Sequence, residues 1–311
     1  MSILVAADFT PEEWQAWWAA LRAALPGEQL LRSRDETPAT EIDIALVANP
    51  LPGALRGLPA LKLIQSLWAG VDRLLQDASV PPGVLLARMV DPTMNRAMAE
   101  TALWAVLSLQ RGFFTYAAQQ QRRQWLQHEQ RRADEVCVAV LGLGEMGRTA
   151  AQRLASNGYR VLGWSSRPRE VHGVATRCGA PALAEVLGAA HVVVNLLPLT
   201  TATRGLFNAA TLGLLQHGAS LVNLARGAHV VEQDLLAALD SGRLHHAVLD
   251  VFETEPLPPK HLFWSHPGVT LLPHVAALTD ARSASAVVAR NVLALRQGRP
   301  LEFVVDRSRG Y

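Results

Sequence analysis

Cysteine is nearly absent from this 311-residue chain: Cys137 and Cys178 are the only two, and they have no CxxC spacing. So few thiols exclude a disulfide-framed secreted scaffold, and both are expected as buried thiols in a reducing, cytoplasmic setting. Long apolar runs are missing too. None approaches the ~20 residues that a membrane helix needs, and the opening MSILVAADFT has no basic segment leading into an apolar stretch, so a soluble, unprocessed protein with no membrane partner is expected. Charge is sparse: 18% of residues are charged and the formal net charge is +2, which argues against a nucleic-acid partner, while 50% apolar content argues against disorder. No repeat of 20 to 50 residues occurs, which excludes a solenoid. The histidines, including the adjacent His245 and His246, show neither an HExxH pattern nor a zinc-ligand spacing, so no metal is expected.

What is present is an alternation of strand-like and helix-like stretches, too long for one core and read as two domains. The first ~100 residues give ILVAA, EEWQAWWAALRAAL, IDIALVA, LKLIQSL and VLLARMV, a small α/β unit. Thr10, Pro11 and Glu13 form an N-cap, a proline at the first helical position and a capping-box acid, which start the first helix. Trp14, Trp17 and Trp18 follow at helical spacing and read as core. One long helix is expected over TMNRAMAETALWAVLSLQRGFFTYAAQQQ. The polar segment behind it, with Arg122, Arg123, Arg131 and Arg132, reads as a solvated connector, an oligomer-contact arm being the alternative. The apolar strands VCVAVLG, YRVLGW, HVVVNLL, ASLVNLA, HAVLDVF and VTLLP then alternate with helices, as in a parallel sheet covered on both faces. One more amphipathic helix, from Asp280 to about Gly298, ends the pattern.

The stretch VAVLGLGEMGRTAAQRLASNGYRVLGW sets Gly142, Gly144 and Gly147 between a strand and a helix, with a second strand behind. In that context the first glycine permits a tight turn, the second lets a pyrophosphate approach the backbone, and the third lets helix pack on strand. Dinucleotide binding follows, through Gly142, Leu143, Gly144, Glu145, Met146 and Gly147. About 20 residues on, an acid that would accept from the ribose 2′-hydroxyl is missing. VLGWSSRPRE offers Ser165, Ser166 and Arg167 instead, with Arg169 just beyond. An ordinary polar turn is one reading. Loss of the acid together with gain of a base favours the other, a 2′-phosphate and hence NADPH ahead of NADH.

Three strand ends further on carry ionisable residues: Arg226 in LVNLARGAHVV, Glu255 in LDVFETEPLP and His274 in LLPHVAA. In an open α/β sheet such positions converge on one crevice although they are far apart in the chain. These stretches, in this order with LGLGEMG, resemble the D-2-hydroxyacid dehydrogenase family over nearly the whole chain. SLWAGVD, NLLPLT and the terminal VDRSRGY point within it to the glyoxylate/hydroxypyruvate reductase A branch.

The resemblance implies an α/β fold of two doubly wound parallel-sheet domains. A Rossmann cofactor domain (99–282) would be inserted into a flavodoxin-like substrate domain (1–98 and 283–311), in a homodimer. It further implies NADPH-dependent reduction of glyoxylate, hydroxypyruvate or a similar short 2-oxo acid. Arg226 would hold the carboxylate and polarise the carbonyl, His274 would donate the proton, and Glu255 would orient His274 and favour its charged form. The amides of Ala69 and Gly70 would grip the carboxylate. Trp68, where the family more often has glycine, would either wall the substrate pocket or pack into the core. Leu197, Pro198, Leu224, Ala225, Asp250 and Ala276 match positions near the cofactor, with Asp250 as acceptor for the carboxamide or as a turn cap. Trp264 reads as packing beside the site. A nucleotide-sensing interaction protein of the same fold and an enzyme for larger 2-oxo acids are the other readings. Replacing Arg167 by Ala should raise the KM for NADPH far more than that for NADH in steady-state assays; equal effects on both would remove the 2′-phosphate reading.

Overall fold

The computed structural model describes residues 1–310, and the chain divides into two compact units, Met1–Met94 with the segment from Thr279 onward, and Asn95–Leu278. Both borders lie four residues before the expected ones, at 94 and 278 rather than 98 and 282, and the first falls inside the Pro92–Gln110 helix.

Five strands build the smaller unit: β1 (Ser2–Ala7), β2 (Gln29–Leu31), β3 (Ile42–Ala48), β4 (Leu63–Ser66) and β5 (Leu85–Ala87). They pair in parallel in the order β2-β1-β3-β4-β5, the flavodoxin-like arrangement. Every residue of β3 is buried, as the middle of a sheet covered on both faces requires. Thr10 and Glu13 exchange the two hydrogen bonds of a capping box, at 2.8 and 3.2 Å, and start the Pro11–Ala24 helix where the sequence places it. The tryptophan stripe on that helix splits. Trp17 is buried and stacked on Phe9 at 5.7 Å, whereas Trp14 and Trp18 are half-buried, with the Arg32 guanidinium 5.6 and 4.5 Å from their rings. The helix packs against the returning helix Ala281–Arg296, whose Arg296 binds both Glu28 and the buried Asp43.

Seven strands build the larger unit: β6 (Cys137–Leu141), β7 (Arg160–Ser165), β8 (Ala175–Cys178), β9 (Val192–Asn195), β10 (Ala219–Asn223), β11 (Leu244–Leu249) and β12 (Val269–Leu271). All pair in parallel, in the order β12-β11-β10-β9-β6-β7-β8. Strand order reverses between β6 and β9, and in such sheets ligands bind at the carboxyl ends beside that switch point. Both sheets are parallel and helix-covered, so the chain is α/β as expected.

Two expectations are corrected here, and a third, the solvated polar segment, gains a detail. The long helix is two, Pro92–Gln110 and Phe113–Gln121, because Gly112 between them takes a left-handed φ of 67°. Cys137 is buried but Cys178 is exposed, since it ends β8, an edge strand whose mixed ATRC pattern gives no apolar signal. The polar segment behind the second helix is exposed throughout yet folded back. Gln110 donates to the Arg131 carbonyl at 2.6 Å, and His128 meets Gln119 at 2.9 Å. Among the described residues no helix is long and apolar enough to cross a membrane, and no three His, Cys, Asp or Glu side chains are gathered as metal ligands.

Candidate active site

The glycine loop lies between β6 and the Glu145–Ser156 helix, and its glycines have different tasks. Gly142 takes φ 96°, and a Cβ there would lie 2.6 Å from the Leu196 carbonyl oxygen. At Gly147 a Cβ would lie 1.7 Å from the Gly142 carbonyl oxygen, so helix and loop touch backbone to backbone. Gly144, at the helix N-cap, has nothing within 4 Å of a Cβ position and faces open space. Two glycines therefore serve packing, and one leaves the backbone open to an approaching phosphate, which fits a dinucleotide. Leu143 and Met146 pack into the core below the loop, and Glu145 accepts from Arg148 at 2.8 Å.

The Gly142 amide donates to the Trp164 carbonyl at 2.8 Å, which draws the end of β7 alongside the loop. There the Ser165 hydroxyl donates to the Arg167 carbonyl at 2.6 Å and closes a polar turn. Ser166, Arg167 and Arg169 on that turn are exposed.

The ionisable triplet is organised by Asp250, which directly follows β11 and is 1% exposed. Its Oδ1 accepts from the Val275 amide at 2.7 Å and its Oδ2 from the Ala276 amide at 3.0 Å. Its own carbonyl accepts from the His274 amide at 2.8 Å. Three successive amides beyond β12 are thus tied to one residue, and His274 is held at φ 55°, a left-handed conformation that costs a non-glycine residue on the order of 1 kcal/mol or more. In that pose His274 Nδ1 lies 2.8 Å from Glu255 Oε2, while Glu255 Oε1 accepts from the Phe252 amide at 2.9 Å. Burial opposes ionisation of Glu255, but the hydrogen bonds from His274 and Phe252 and the positive charge of His274 and Arg226 outweigh it, leaving its carboxyl below the usual range. Asp250 goes the other way: burial raises its carboxyl, against the two amide hydrogen bonds and the charge of His274.

Arg226 stands just past β10, and its Nη1 donates to the Ala225 carbonyl at 2.7 Å. A Cβ on the next residue, Gly227, would lie 1.8 Å from the Phe252 carbonyl carbon, so the Arg226 and Glu255 loops meet only because that position is glycine.

Three further residues escaped the sequence reading. Asn195 and Asn223, fully buried at the ends of β9 and β10, join through Asn195 Nδ2 to Asn223 Oδ1 at 2.9 Å. Asn223 Nδ2 then donates to the Arg226 carbonyl at 3.0 Å, and Asn195 Oδ1 accepts from the Leu197 amide at 3.2 Å. His229, fully buried, lies against both the Arg226 and Pro198 carbonyls. The available signal was an asparagine closing each apolar strand, in VVVN and ASLVN.

Leu197, Leu224, Ala225 and Ala276 are buried on these same strand-end loops, beside the half-buried Pro198. In the smaller unit, Trp68, Ala69 and Gly70 follow β4. The Ser66 hydroxyl accepts from the Trp68 amide at 3.1 Å and donates to its carbonyl at 2.9 Å. The Trp68 ring packs edgewise on Phe9 and Trp17, at 6.1 and 5.9 Å. Trp264 is 57% exposed rather than packed in, with its indole N–H on the Pro258 carbonyl at 2.9 Å.

The fold and this constellation define a class. The model of the D-isomer specific 2-hydroxyacid dehydrogenase NAD binding domain matches residues 103–276, and the chain belongs to the D-isomer specific 2-hydroxyacid dehydrogenase family. Among its relatives is the glyoxylate/hydroxypyruvate reductase A of Serratia proteamaculans, 41% identical over 310 residues that cover 97% of each chain. In structure it is similar to a D-isomer specific 2-hydroxyacid dehydrogenase from Xanthobacter autotrophicus Py2 in complex with NADPH and MES, with TM-score 0.95, 38% identity, and 100% and 99% of the two chains covered. It is also similar to the NADPH-dependent glyoxylate/hydroxypyruvate reductase of Sinorhizobium meliloti in complex with NADP and sulfate, with TM-score 0.93, 37% identity and 100% of both chains covered.

Because the folded-state pKa of Glu255 lies below its ordinary 4.5, the stability it contributes is complete above that value and is lost as pH falls through the lowered one. Glu255→Gln should therefore melt below the parent at pH 7, with the gap closing under pH 4.5 in a series of thermal melts. A gap independent of pH would contradict the assignment.

Proposed function

We propose that the protein is an NADPH-dependent reductase of glyoxylate, hydroxypyruvate or a similar short 2-oxo acid. The observation that supports this most is the 2.8 Å pair of His274 and Glu255, whose backbone is fixed by Asp250. A reduced nicotinamide cofactor, when bound, supplies the hydride. The chain's share is positioning and proton transfer. Arg226 holds the substrate carboxylate with its planar fork and polarises the carbonyl. With Nδ1 committed to Glu255, His274 delivers a proton from Nε2 to the carbonyl oxygen as negative charge develops there, and the Glu255 carboxylate holds the ring in that orientation. Run backwards, His274 accepts that proton from a 2-hydroxy acid.

With the cofactor bound, the open backbone at Gly144 would receive the pyrophosphate at the helix N-terminus, and Arg167 with the Ser166 hydroxyl would meet the 2′-phosphate, while the Ser165 hydroxyl, expected to join them, is instead committed to the Arg167 carbonyl and shapes the turn. The Xanthobacter and Sinorhizobium relatives carry NADPH or NADP, in keeping with the acid-free SSRPR turn of this chain. Leu197, Pro198, Leu224, Ala225 and Ala276 line the cofactor side, and the double amide engagement of Asp250 supports a role in shaping the His274 loop.

We further infer a cytoplasmic homodimer. The folded-back segment presents Trp125 at 98% exposure beside Leu126, and Trp104 and Phe113 are also exposed on the preceding helices, so a second copy would cover an apolar surface. Sizing in solution should give twice the 33.7 kDa chain mass, and Trp125→Ser should shift it toward one. For the chemistry, NADPH oxidation should be driven by glyoxylate and hydroxypyruvate. His274→Ala should lower kcat by about 10²–10⁴-fold while NADPH binding, followed by fluorescence titration, stays near the parent. Cofactor binding with no turnover on any short 2-oxo acid would overturn the reading.

A further inference from the structure

We propose that His229 is a positioning residue for Arg226, a rigid spacer that sets the guanidinium by standing between two strand-end carbonyls; this rests on the reading of Arg226 as the residue that holds the substrate carboxylate. The ring is fully buried, with Nδ1 3.1 Å from the Arg226 carbonyl oxygen and Nε2 3.3 Å from that of Pro198. The His229 amide also donates to the Arg226 carbonyl at 3.2 Å, and its carbonyl accepts from Phe207 at 2.8 Å, so the ring stands on a fixed backbone. Pro198 is anchored in turn, its carbonyl accepting from the Thr203 hydroxyl at 2.7 Å.

Burying an imidazole carries a cost that an aliphatic side chain in the same place would not, unless its polar atoms are used. Here the ring stands between two backbone carbonyls, one on each of two loops, and a neutral ring donates its single N–H to one of them while its other edge packs against the second, which sets the spacing between the loop after β9 and the loop after β10. The beneficiary is the Cα of Arg226, from which the guanidinium extends. Asn223 reaches the same carbonyl from the sheet side, at 3.0 Å, so it is held from two directions. Displacing a substrate-holding group by about 1 Å can cost on the order of 10²-fold in rate, so a spacer at this point bears on turnover without touching substrate.

The test is a double-mutant cycle on kcat/KM for glyoxylate and NADPH, with residual turnover measured at high enzyme concentration. His229→Phe keeps the ring volume and removes both nitrogens. His229→Asn keeps a donor but is too short to span both carbonyls. His229→Gln places its amide nitrogen near the Nε2 position, where it can donate to the Pro198 carbonyl while the side chain still fills the space between the loops. Either of the first two should lower kcat/KM by about tenfold or more, His229→Gln should recover most of the loss, and neither of the first two should cost anything further in an Arg226→Ala background. If His229→Phe does not fold, the Asn and Gln pair carries the same comparison. Parental kcat/KM in the folded Phe or Asn variants, no recovery with Gln, or losses that multiply with Arg226→Ala would overturn the spacer role. Parental activity in Arg226→Ala alone would remove the carboxylate reading, and the spacer role with it; a crippled Arg226→Ala with multiplying losses would remove only the spacer role.

Discussion

The site depends on one buried carboxylate. Asp250 takes the amides of Val275 and Ala276 on its two oxygens and that of His274 on its carbonyl, and this grip allows a histidine to sit at positive φ. Without it the segment after β12 would relax toward ordinary dihedrals, and the imidazole would leave the 2.8 Å contact with Glu255. The cost of burying Asp250, which raises its carboxyl pKa, is thus offset by hydrogen bonds that hold the His274 loop in place. The same economy recurs one strand over. Asn195, Asn223 and His229 spend buried polar atoms on the backbone around Arg226. Arg226 and His274 both stand on loops, but those loops are fixed from below by the sheet.

Much of this was legible in the sequence, for local reasons. Continuous apolar runs marked the inner strands of both sheets because a parallel strand is buried on both faces. The Thr10–Glu13 box and the spacing of Gly142, Gly144 and Gly147 were readable because their partners lie within a few residues. The triplet Arg226, Glu255 and His274 could be named from motif order, and the structure brings Glu255 and His274 into direct contact.

What was not legible depends on partners distant in the chain. β2 and β8 are short edge strands with exposed polar residues, so pairing defines them and pattern does not. The break at Gly112 could not be told from a tolerated helical glycine. Trp14 and Trp18 shared the helical spacing of Trp17 but are covered by Arg32, a residue on another segment. The Asn195–Asn223 bond joins two strands 28 residues apart in the chain, and nothing local announces it.

Asp250 acts through the His274 loop, and Asp250→Asn tests this directly. An asparagine of the same shape replaces one accepting oxygen by an N–H₂ group that must face a backbone amide. Measured side by side, kcat should fall toward that of a protein lacking His274, while the NADPH dissociation constant stays close to the parent. A variant that keeps kcat and loses NADPH affinity instead would contradict the account and return Asp250 to a direct role at the cofactor.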